Sequence, residues 1–313
     1  MPSLSVARTS NASYKPIYIP TAVFVGGTSG VGAAMVAAFA RYTNGNANII
    51  VIGRSRSAAT ALIAGFPSPP SSSVKHEFIE IEDATDMDQV QLTTRSLLSS
   101  HPRINFLVLS TGYFNLSGRD ETAAGIDKHL AISYYSRWKF INDLLPSLTA
   151  ARDAGEDVSV LSVLAAGNGQ KIDLDDLGLK KTYSFTNVMG SGPTYTDMAF
   201  EKFTSIAPGI RFVHTFPGLV RTSVFRQTHW LLRPLLNGLY AIVATSPADA
   251  GEYQLFALLN GITGNGPTKT QGGAFRCDPK GDDLQGKAYF GDDEAREKVW
   301  KHTVETVTAA TST

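Results

Sequence analysis

The feature that most constrains the fold is a glycine-rich segment, residues 26–32, that separates two runs of different character. The run before it, Thr21–Val25, is short and apolar, as buried strands are. The run after it, residues 33–42, is rich in alanine and other helix formers. A strand that turns through glycines into a helix is typical of α/β proteins that bind phosphate groups at the helix N-terminus.

The spacing of the three glycines suits such a turn. Gly26 permits a tight bend, Gly30 lets a pyrophosphate approach the backbone, and Gly32 lets the helix pack closely on the strand. Thr28 and Ser29 add hydroxyls and amides that suit phosphate oxygens. The segment predicts a dinucleotide site, although glycine-rich turns with a purely structural role have the same composition.

Further apolar runs of strand length alternate with helix-forming segments. The predicted strands are Asn48–Ile52, Phe78–Ile81, Phe106–Leu109, Val158–Leu164 and Ile210–Phe216. The predicted helices cover residues 58–65, 87–98, 122–145 (ended by Pro146) and 195–204. Because each crossover must return over a face of the sheet, this alternation predicts a parallel sheet covered by helices on both faces. The expected fold is a Rossmann-type, doubly wound α/β fold.

The chain is expected to form one domain, residues 17–313, because 313 residues with 43% hydrophobic content suffice for a single large core. Residues 1–16 are polar and Ser-rich, which predicts a disordered arm. After Arg221 the alternation of strands and helices stops, and we expect this C-terminal extension to cover the ligand crevice. Residues 230–244 are apolar but too short for a membrane span. They are either a buried substrate-pocket helix or a surface that meets a membrane or partner.

Charge and cysteine content narrow the classes of partner. The 28 basic and 28 acidic residues cancel, so no overall field favours nucleic acid or an anionic membrane. The apolar segment Phe225–Val243 predicts an apolar small-molecule substrate as the partner. Cys277 is the only cysteine, which excludes an intrachain disulfide and favours a reducing, cytoplasmic location. The six histidines show no ligand-like spacing, and no metal site is predicted. An oligomer is compatible with the sequence.

Five segments, in chain order, resemble motifs of the short-chain dehydrogenase/reductase family. The glycine turn matches T-G-x-x-x-G-I/V-G, except that Val25 stands in the Thr position. The others stand where the family has an acidic turn, N-N-A-G, the end of its central helix and P-G-x-V/I-x-T: Asp83–Thr85, Leu109–Gly112, Leu144–Pro146 and Pro217–Thr222. The resemblance covers about residues 20–225. It implies a nicotinamide dinucleotide cofactor, with the acidic turn at the adenine and the last segment beside the nicotinamide.

The residue at the end of the second predicted strand indicates which dinucleotide is bound. An acidic group there accepts hydrogen bonds from the ribose 2′-hydroxyl, whereas an arginine pairs with a 2′-phosphate. Arg54 occupies this place, so we predict NADP(H), while a solvated surface arginine is the alternative. The predicted cofactor-binding residues are Gly26, Thr28, Ser29, Gly30, Gly32, Arg54, Asp83, Ser110, Gly112, Pro217, Gly218 and Thr222.

The catalytic residues that the resemblance implies are absent from their expected places. The family uses a Tyr, a Lys four residues later, a Ser and an Asn. Two registers are open for the Tyr and Lys positions, and they place Met189 and Pro193, or Pro193 and Asp197, there. Leu164 or Ala165 stands in the Ser position, with Ser162 slightly earlier, and Ser133 stands for the Asn.

Two phenols are candidates to replace the lost proton donor. Tyr183 and Tyr195 belong to the segment expected to line the pocket. Without a neighbouring lysine, however, a phenol keeps a pKa of about 10 and is a poor base near neutral pH. The predicted catalytic residues are therefore Tyr195, Tyr183 and Ser162, each with a structural role as the alternative. His214 is expected in the core or pocket wall, and His129 is a second candidate to face the pocket.

A second match to Y-x-x-x-K, Tyr135 and Lys139, lies inside the long central helix and before the fifth strand. In the family the catalytic pair follows the fifth strand, so Tyr135 and Lys139 are not predicted to be catalytic. Three functions remain open: an NADP(H)-dependent oxidoreductase acting on a ketone or alcohol of a mid-sized apolar molecule, with a biosynthetic pathway as one setting; a non-redox isomerase or cyclase on the same scaffold; and a non-catalytic dinucleotide-binding protein.

Overall fold

The centre of the fold is a sheet of seven strands that all run parallel, in the order β3-β2-β1-β4-β5-β6-β7. The computed structural model describes residues 1–112, 115, 118–221, 244–261 and 272–311. The strands are β1 (Thr21–Val25), β2 (Asn48–Gly53), β3 (His76–Glu80), β4 (Phe106–Leu109), β5 (Ser159–Val163), β6 (Arg211–Thr215) and β7 (Gly273–Cys277). This architecture confirms the predicted fold class.

Helices cover both faces of the sheet. They are α1 (Leu4–Ala12), α2 (Gly30–Tyr42), α3 (Arg56–Ala64), α4 (Met87–Ser100), α5 (Lys128–Leu130), a π-helical turn (Ala131–Tyr135), α6 (Ser136–Asp153), α7 (Phe185–Ile206), α8 (Pro247–Leu259) and α9 (Asp293–Ala309). Alternate strand residues supply two separate cores: Val23 and Val25 pack in the core with α4, α6 and α7, whereas Ala22 and Phe24 pack in the core with α2 and α8. Strands buried on both faces explain the unbroken apolar runs in the sequence.

The central helical segment differs from its predicted bounds at both ends. It begins at Lys128 and not at residue 122. Asp127, directly before Lys128, caps the first turn by accepting hydrogen bonds from the amides of His129 and Leu130. It also continues through Pro146 to Asp153. A proline in a helix costs one backbone hydrogen bond, but here the neighbouring Leu144 and other buried side chains keep the helix on the sheet.

The later part of the chain holds elements that the sequence analysis did not anticipate. Helix α7 begins at Phe185, ten residues before its predicted start, with Ser184 as N-cap. Strand β7 extends the sheet beyond β6, and α8 and α9 pack on opposite faces. Residues 222–243, which include most of the apolar run 230–244, lie outside the described residues. The assignment of one domain to residues 17–313 thus stays a prediction.

The N-terminal arm is a helix in the structure, in contrast to the predicted disorder. Residues Leu4–Ala12 form α1, and its Ala7 and Asn11 are buried. Asn11 Nδ2 donates to both the carbonyl oxygen and Oε2 of Glu252 on α8, each at 3.0 Å. The sequence suggested disorder because the arm has few apolar residues. Its order comes from polar contacts with a helix far away in the chain.

Among the described residues, no helix combines the length and the apolarity that crossing a bilayer requires.

We expect the contact between α1 and α8 to contribute measurably to stability. In Asn11→Ala the buried Glu252 loses two hydrogen bonds, each worth about 0.5–1.5 kcal/mol net, while its carboxylate keeps its contacts with Arg41 and Tyr42. The melting temperature should fall by several degrees. Thr9→Ala, at an exposed position of the same helix, is the control and should leave it unchanged. Equal melting temperatures for Asn11→Ala and the unmodified chain would show that α1 does not dock as described.

Candidate active site

The candidate site is the crevice at the carboxyl ends of the strands. Because every strand is parallel, the segments that follow them all emerge at one edge of the sheet. The crossovers leave β1 and β4, which are neighbours, in opposite directions along the sheet. Such a switch in strand order opens a crevice in which α/β proteins of this type bind dinucleotides.

The glycine turn packs against the segment after β4. Gly26 has a φ of +86°, and a Cβ there would lie 2.7 Å from the amide nitrogen of Thr111. A Cβ at Gly32 would overlap the carbonyl oxygen of Gly26 and the hydroxyl of Ser110. Both positions therefore require glycine.

The turn leaves groups available to a ligand. Gly30, with a φ of +56°, opens α2, and the Ser29 side chain before it makes no capping hydrogen bond. The first amides of a helix have no partner within the helix and suit phosphate oxygens. The turn thus has the geometry that suits the pyrophosphate of a dinucleotide, and the cofactor contacts assigned to these residues stay a prediction.

Arg54 follows β2 directly and is exposed. No carboxylate of the described residues forms an ion pair with it, whereas the nearby Arg56 pairs with Glu80 at 3.1 Å. The Thr28 side chain packs against Gly53, where a Cβ would lie only 2.8 Å from it. Thr28 and Arg54 therefore both lie at the end of β2, where a 2′-phosphate is expected to bind.

The acidic turn after β3 lies beside β2. Asp83 is exposed, and its Oδ1 accepts hydrogen bonds from the amide (2.8 Å) and the hydroxyl (2.7 Å) of Thr85. These bonds hold the turn in one conformation. The turn is joined to β2 by the hydrogen bond from the Ile81 amide to the Gly53 carbonyl. This geometry agrees with the adenine contact implied for Asp83, which stays a prediction.

The segments after β4 and β6 form the other half of the crevice. Ser110 Oγ donates to the Val25 carbonyl at 3.1 Å and so ties β4 to β1. A Cβ at Gly112 would meet no atom within 4 Å, which marks open space there. Pro217 and Gly218 follow β6, and Gly218 has a φ of +73°. Thr222, also predicted to bind the cofactor, lies outside the described residues.

The predicted catalytic phenols are both engaged elsewhere. Tyr195 is 1% exposed, packs on Tyr134, and donates its hydroxyl hydrogen to the Leu177 carbonyl at 3.0 Å. Burial raises the pKa of Tyr195 above its ordinary value. Tyr183 donates to the Gly118 carbonyl at 3.1 Å. The geometry gives Tyr195 a structural role and leaves a catalytic role for either residue without support.

The hydroxyl of Ser162 is equally occupied. Ser162 is fully buried on β5, and its Oγ accepts a hydrogen bond from Arg137 at 2.6 Å. It therefore faces the interior of the sheet–helix layer and not the crevice. Ser133 donates its hydroxyl hydrogen to the His129 carbonyl at 2.5 Å, within the turn that precedes α6.

Helix α7 contains one tyrosine and one lysine, Tyr195 and Lys202, seven residues apart. Lys202 pairs with Glu297 of α9 at 2.6 Å. Of the residues in the two open registers, Pro193 and Asp197 are buried and Met189 is 43% exposed. Neither register supplies a phenol next to an ammonium group, so the family's proton relay has no equivalent on this helix.

The sequence analysis missed a buried arginine. Arg137, on α6, lies one helical turn after Ser133 and is almost fully buried. Its guanidinium donates to Ser162 Oγ, to the Ile132 carbonyl of the π-helical turn, and to three backbone carbonyls around the ends of β4 and β5: Leu109, Thr111 and Val163. The sequence did contain a signal for this residue. Arg137 lies four residues after Ser133, which stands in the family's Asn position, and a spacing of four places both on the same helix face.

A second buried polar group lies beside it. His214 on β6 is paired in register with Ser162 of β5, and its Nδ1 lies 2.6 Å from Asp197 Oδ1. Its Nε2 accepts from the amide of Ala165 at 3.3 Å, so Nδ1 must carry the proton. Arg276 Nε lies 3.0 Å from the other oxygen of Asp197. His214 is therefore a fully buried residue with both ring nitrogens satisfied, which agrees with the expected core position, and it holds the segment after β5.

The remaining sequence candidates point away from the crevice or are enclosed. Tyr135 lies 2.8 Å from His302 of α9, whereas Lys139 pairs with Asp143 at 3.0 Å. The two side chains thus contact different neighbours and do not form a pair. His129 is buried, its Nε2 accepts from the amide of Asn115 at 3.2 Å, and burial lowers its pKa.

Known oxidoreductases are similar to this chain in sequence. Oxidoreductase AN1596 of Emericella nidulans is 33% identical over 228 residues, which are 73% of the chain and 66% of that protein. The chain thus spans slightly less than two thirds of that relative. The short-chain dehydrogenase/reductase SAT2 of Stachybotrys chartarum is 25% identical over 98% of the chain and 97% of its own length. No family model matches the chain.

Solved structures share the fold at low identity. The L-sorbose reductase of Gluconobacter frateurii, a complex with NADPH and L-sorbose, has a TM-score of 0.55 and 17% identity and covers 79% of the chain and 92% of its own. The glycine turn, the strand order and these relatives agree. The chain belongs to the short-chain dehydrogenase/reductase superfamily.

Proposed function

We propose that this chain is an NADP(H)-dependent oxidoreductase that acts on the carbonyl or alcohol group of a mid-sized apolar molecule. The observation that carries the proposal is the pairing of a glycine turn that fits a pyrophosphate with an exposed Arg54 at the end of β2. The oxidoreductase names of the relatives and the NADPH in the L-sorbose reductase complex support it. NADPH, when bound, supplies the hydride.

An apolar substrate is supported by the side chains near the nicotinamide half of the crevice. Leu219, directly after Gly218, is 52% exposed, and Met189 of α7 is exposed at a position that one register assigns to the family's tyrosine. Large apolar side chains exposed beside a crevice favour contact with an apolar ligand. The chain contributes binding and alignment here, and the proton for the product oxygen comes from water or from the substrate.

A non-redox enzyme, such as an isomerase or cyclase, is the second candidate. The observation that favours it is the engagement of every side chain predicted to be catalytic: Ser162, Tyr183 and Tyr195. A pocket that only holds and shapes a reactive substrate needs no such relay. A purely dinucleotide-binding role fits the same losses.

The first prediction concerns the cofactor. Arg54→Ala should weaken NADPH binding by about 10- to 150-fold, the equivalent of about 1.5–3 kcal/mol for one charge-assisted contact, and leave NADH binding nearly unchanged. Titration calorimetry with both cofactors measures this. Arg56→Ala is the matched control, because Arg56 already pairs with Glu80, and it should keep the NADPH affinity. Equal affinities of the unmodified chain for NADPH and NADH would contradict the assignment.

The second prediction concerns the rate. General acid catalysis is worth about 10²- to 10⁴-fold, so a site without a tuned phenol should reduce simple ketones slowly. The measurement is deuterium transfer from 4-deuterated NADPH to a panel of ketones. Fast, stoichiometric transfer would contradict the slow rate. Product without label or cofactor oxidation would favour the non-redox enzyme, and cofactor binding with no product from any substrate tested would favour the binding protein.

The third prediction concerns the pattern in the central helix. Tyr135→Phe and Lys139→Ala should leave cofactor affinity and turnover nearly intact, because Tyr135 contacts α9 and Lys139 pairs within α6. Both variants are compared with the unmodified chain by calorimetry and by the same labelled assay. A fall in kcat of a hundredfold or more at an unchanged melting temperature would show that this pair takes part in catalysis.

A further inference from the structure

The guanidinium of Arg137 is a buried cation whose partners are all uncharged. It donates to Ser162 Oγ at 2.6 Å, to the Val163 carbonyl at 2.9 Å and to the Leu109 carbonyl at 3.3 Å. Its other nitrogens donate to the carbonyls of Ile132 and Thr111. Among the residues that the structure describes, no carboxylate forms an ion pair with it. The hydrogen bonds are satisfied, but the unit charge is not neutralised.

Such a charge is costly to bury, so its place in the fold is informative. An ion moved from water into a protein interior loses several kcal/mol of solvation unless a partner compensates it. Burial lowers the pKa of Arg137 to about 9, which leaves the guanidinium charged at neutral pH. Ionisable groups whose pKa is strongly perturbed by burial cluster at functional sites.

Arg137 lies beneath the nicotinamide half of the crevice. Arg54 and Asp83 follow β2 and β3, on one side of the glycine turn, and so mark the adenosine half. A dinucleotide with its pyrophosphate at the turn would extend its nicotinamide towards the other side of the turn, where β4 and β5 end. Those are the strand ends whose carbonyls, at Leu109 and Val163, bind the guanidinium of Arg137.

The charge of the nicotinamide ring differs between the two cofactor forms. The oxidised ring carries a positive charge, and the reduced ring is neutral. A fixed cation beneath the ring therefore repels NADP⁺ and leaves NADPH unaffected. Two unit charges about 10 Å apart at an effective dielectric constant of about 20 interact strongly enough to change affinity about ten- to twentyfold.

We propose that Arg137 is a positioning residue that fixes the ends of β4 and β5 and, through its uncompensated charge, makes the site prefer NADPH to NADP⁺. The inference rests on the proposed NADP(H) site and adds a direction to it. Binding that favours the reduced cofactor loads the site for reduction and releases the oxidised product readily. Arg137 is 3% exposed, so it acts through the backbone and its electric field and not by contact with the substrate.

Other titratable groups around Arg137 are already paired. His214 and Asp197, from β6 and α7, bind each other at 2.6 Å, and Arg276 of β7 pairs with the same carboxylate. On its own helix, Lys139 and Asp143 form an ion pair at 3.0 Å. Among these described residues, Arg137 therefore carries the one charge without an opposite charge beside it. A substitution that removes this charge changes the electric field without breaking an ion pair.

The test measures the dissociation constants of NADPH and NADP⁺ and takes their ratio. Both forms share the adenosine and the 2′-phosphate, so defects in folding or in phosphate binding cancel in the ratio. In Arg137→Gln we expect the preference for NADPH to fall about tenfold. In Arg137→Lys the preference should stay near that of the unmodified chain at pH 6.5 and fall towards pH 9, because a buried lysine loses its proton at a lower pH than arginine does.

Arg211 provides the matched control. It is also a buried arginine, but it is the first residue of β6 and so lies at the amino ends of the strands, away from the crevice. Its guanidinium carbon lies 4.2 Å from the centre of the Phe275 ring. Arg211→Gln and Arg211→Lys should lower the melting temperature and leave the ratio unchanged at every pH. If Arg137→Gln does not fold, the pH dependence of Arg137→Lys decides alone.

The outcomes separate the two proposals. An unmodified chain that binds neither form overturns the proposed NADP(H) site and this inference with it. An unmodified chain that binds both forms equally, or Arg137 variants in which both affinities fall together, overturns only the inference and leaves Arg137 with a structural role. A lowered ratio in Arg137→Gln with a pH-dependent ratio in Arg137→Lys supports it.

Discussion

The crevice of this protein depends on one close contact, between the glycine turn after β1 and the segment after β4. Gly26 and Gly32 lie so near the segment Ser110–Thr111 that a Cβ at either glycine would overlap atoms packed against it. This contact brings the N-terminus of α2 to the switch point of the sheet. Every other part of the candidate cofactor site is positioned relative to it, since the parallel strands carry their following segments to the same edge.

Around this crevice, buried hydrogen bonds occupy the side chains that would otherwise be candidates for a proton relay. Arg137 binds Ser162 and the ends of β4 and β5, and His214 with Asp197 holds the segment after β5. Tyr195 belongs to the hydrophobic core. Fully satisfied networks of this kind rigidify the elements that they join. The site is thus arranged for binding and alignment, with no free phenol on α7.

Much of the fold was predictable from local pattern. Six strands appear within about two residues of their predicted bounds, because a buried parallel strand needs an apolar run of its own length. The prediction failed where long-range contacts decide. Helix α1 is ordered by the bonds between Asn11 and Glu252, which are 241 residues apart. The central helix continues past Pro146 because its buried face outweighs the lost backbone bond.

By itself the sequence determined the alternation of strands and helices, the glycine turn, the arginine after β2 and the absence of a Tyr-x-x-x-Lys pair on α7. These are local properties, set by residue type and spacing along the chain. Only the tertiary structure decided which polar side chains are free and which are engaged. Tyr195, Ser162 and Arg137 each carry a polar group in the sequence, and only the fold shows that all three are buried and hydrogen-bonded to partners inside the protein. Whether a buried charge is neutralised depends on residues that only the folded chain brings together.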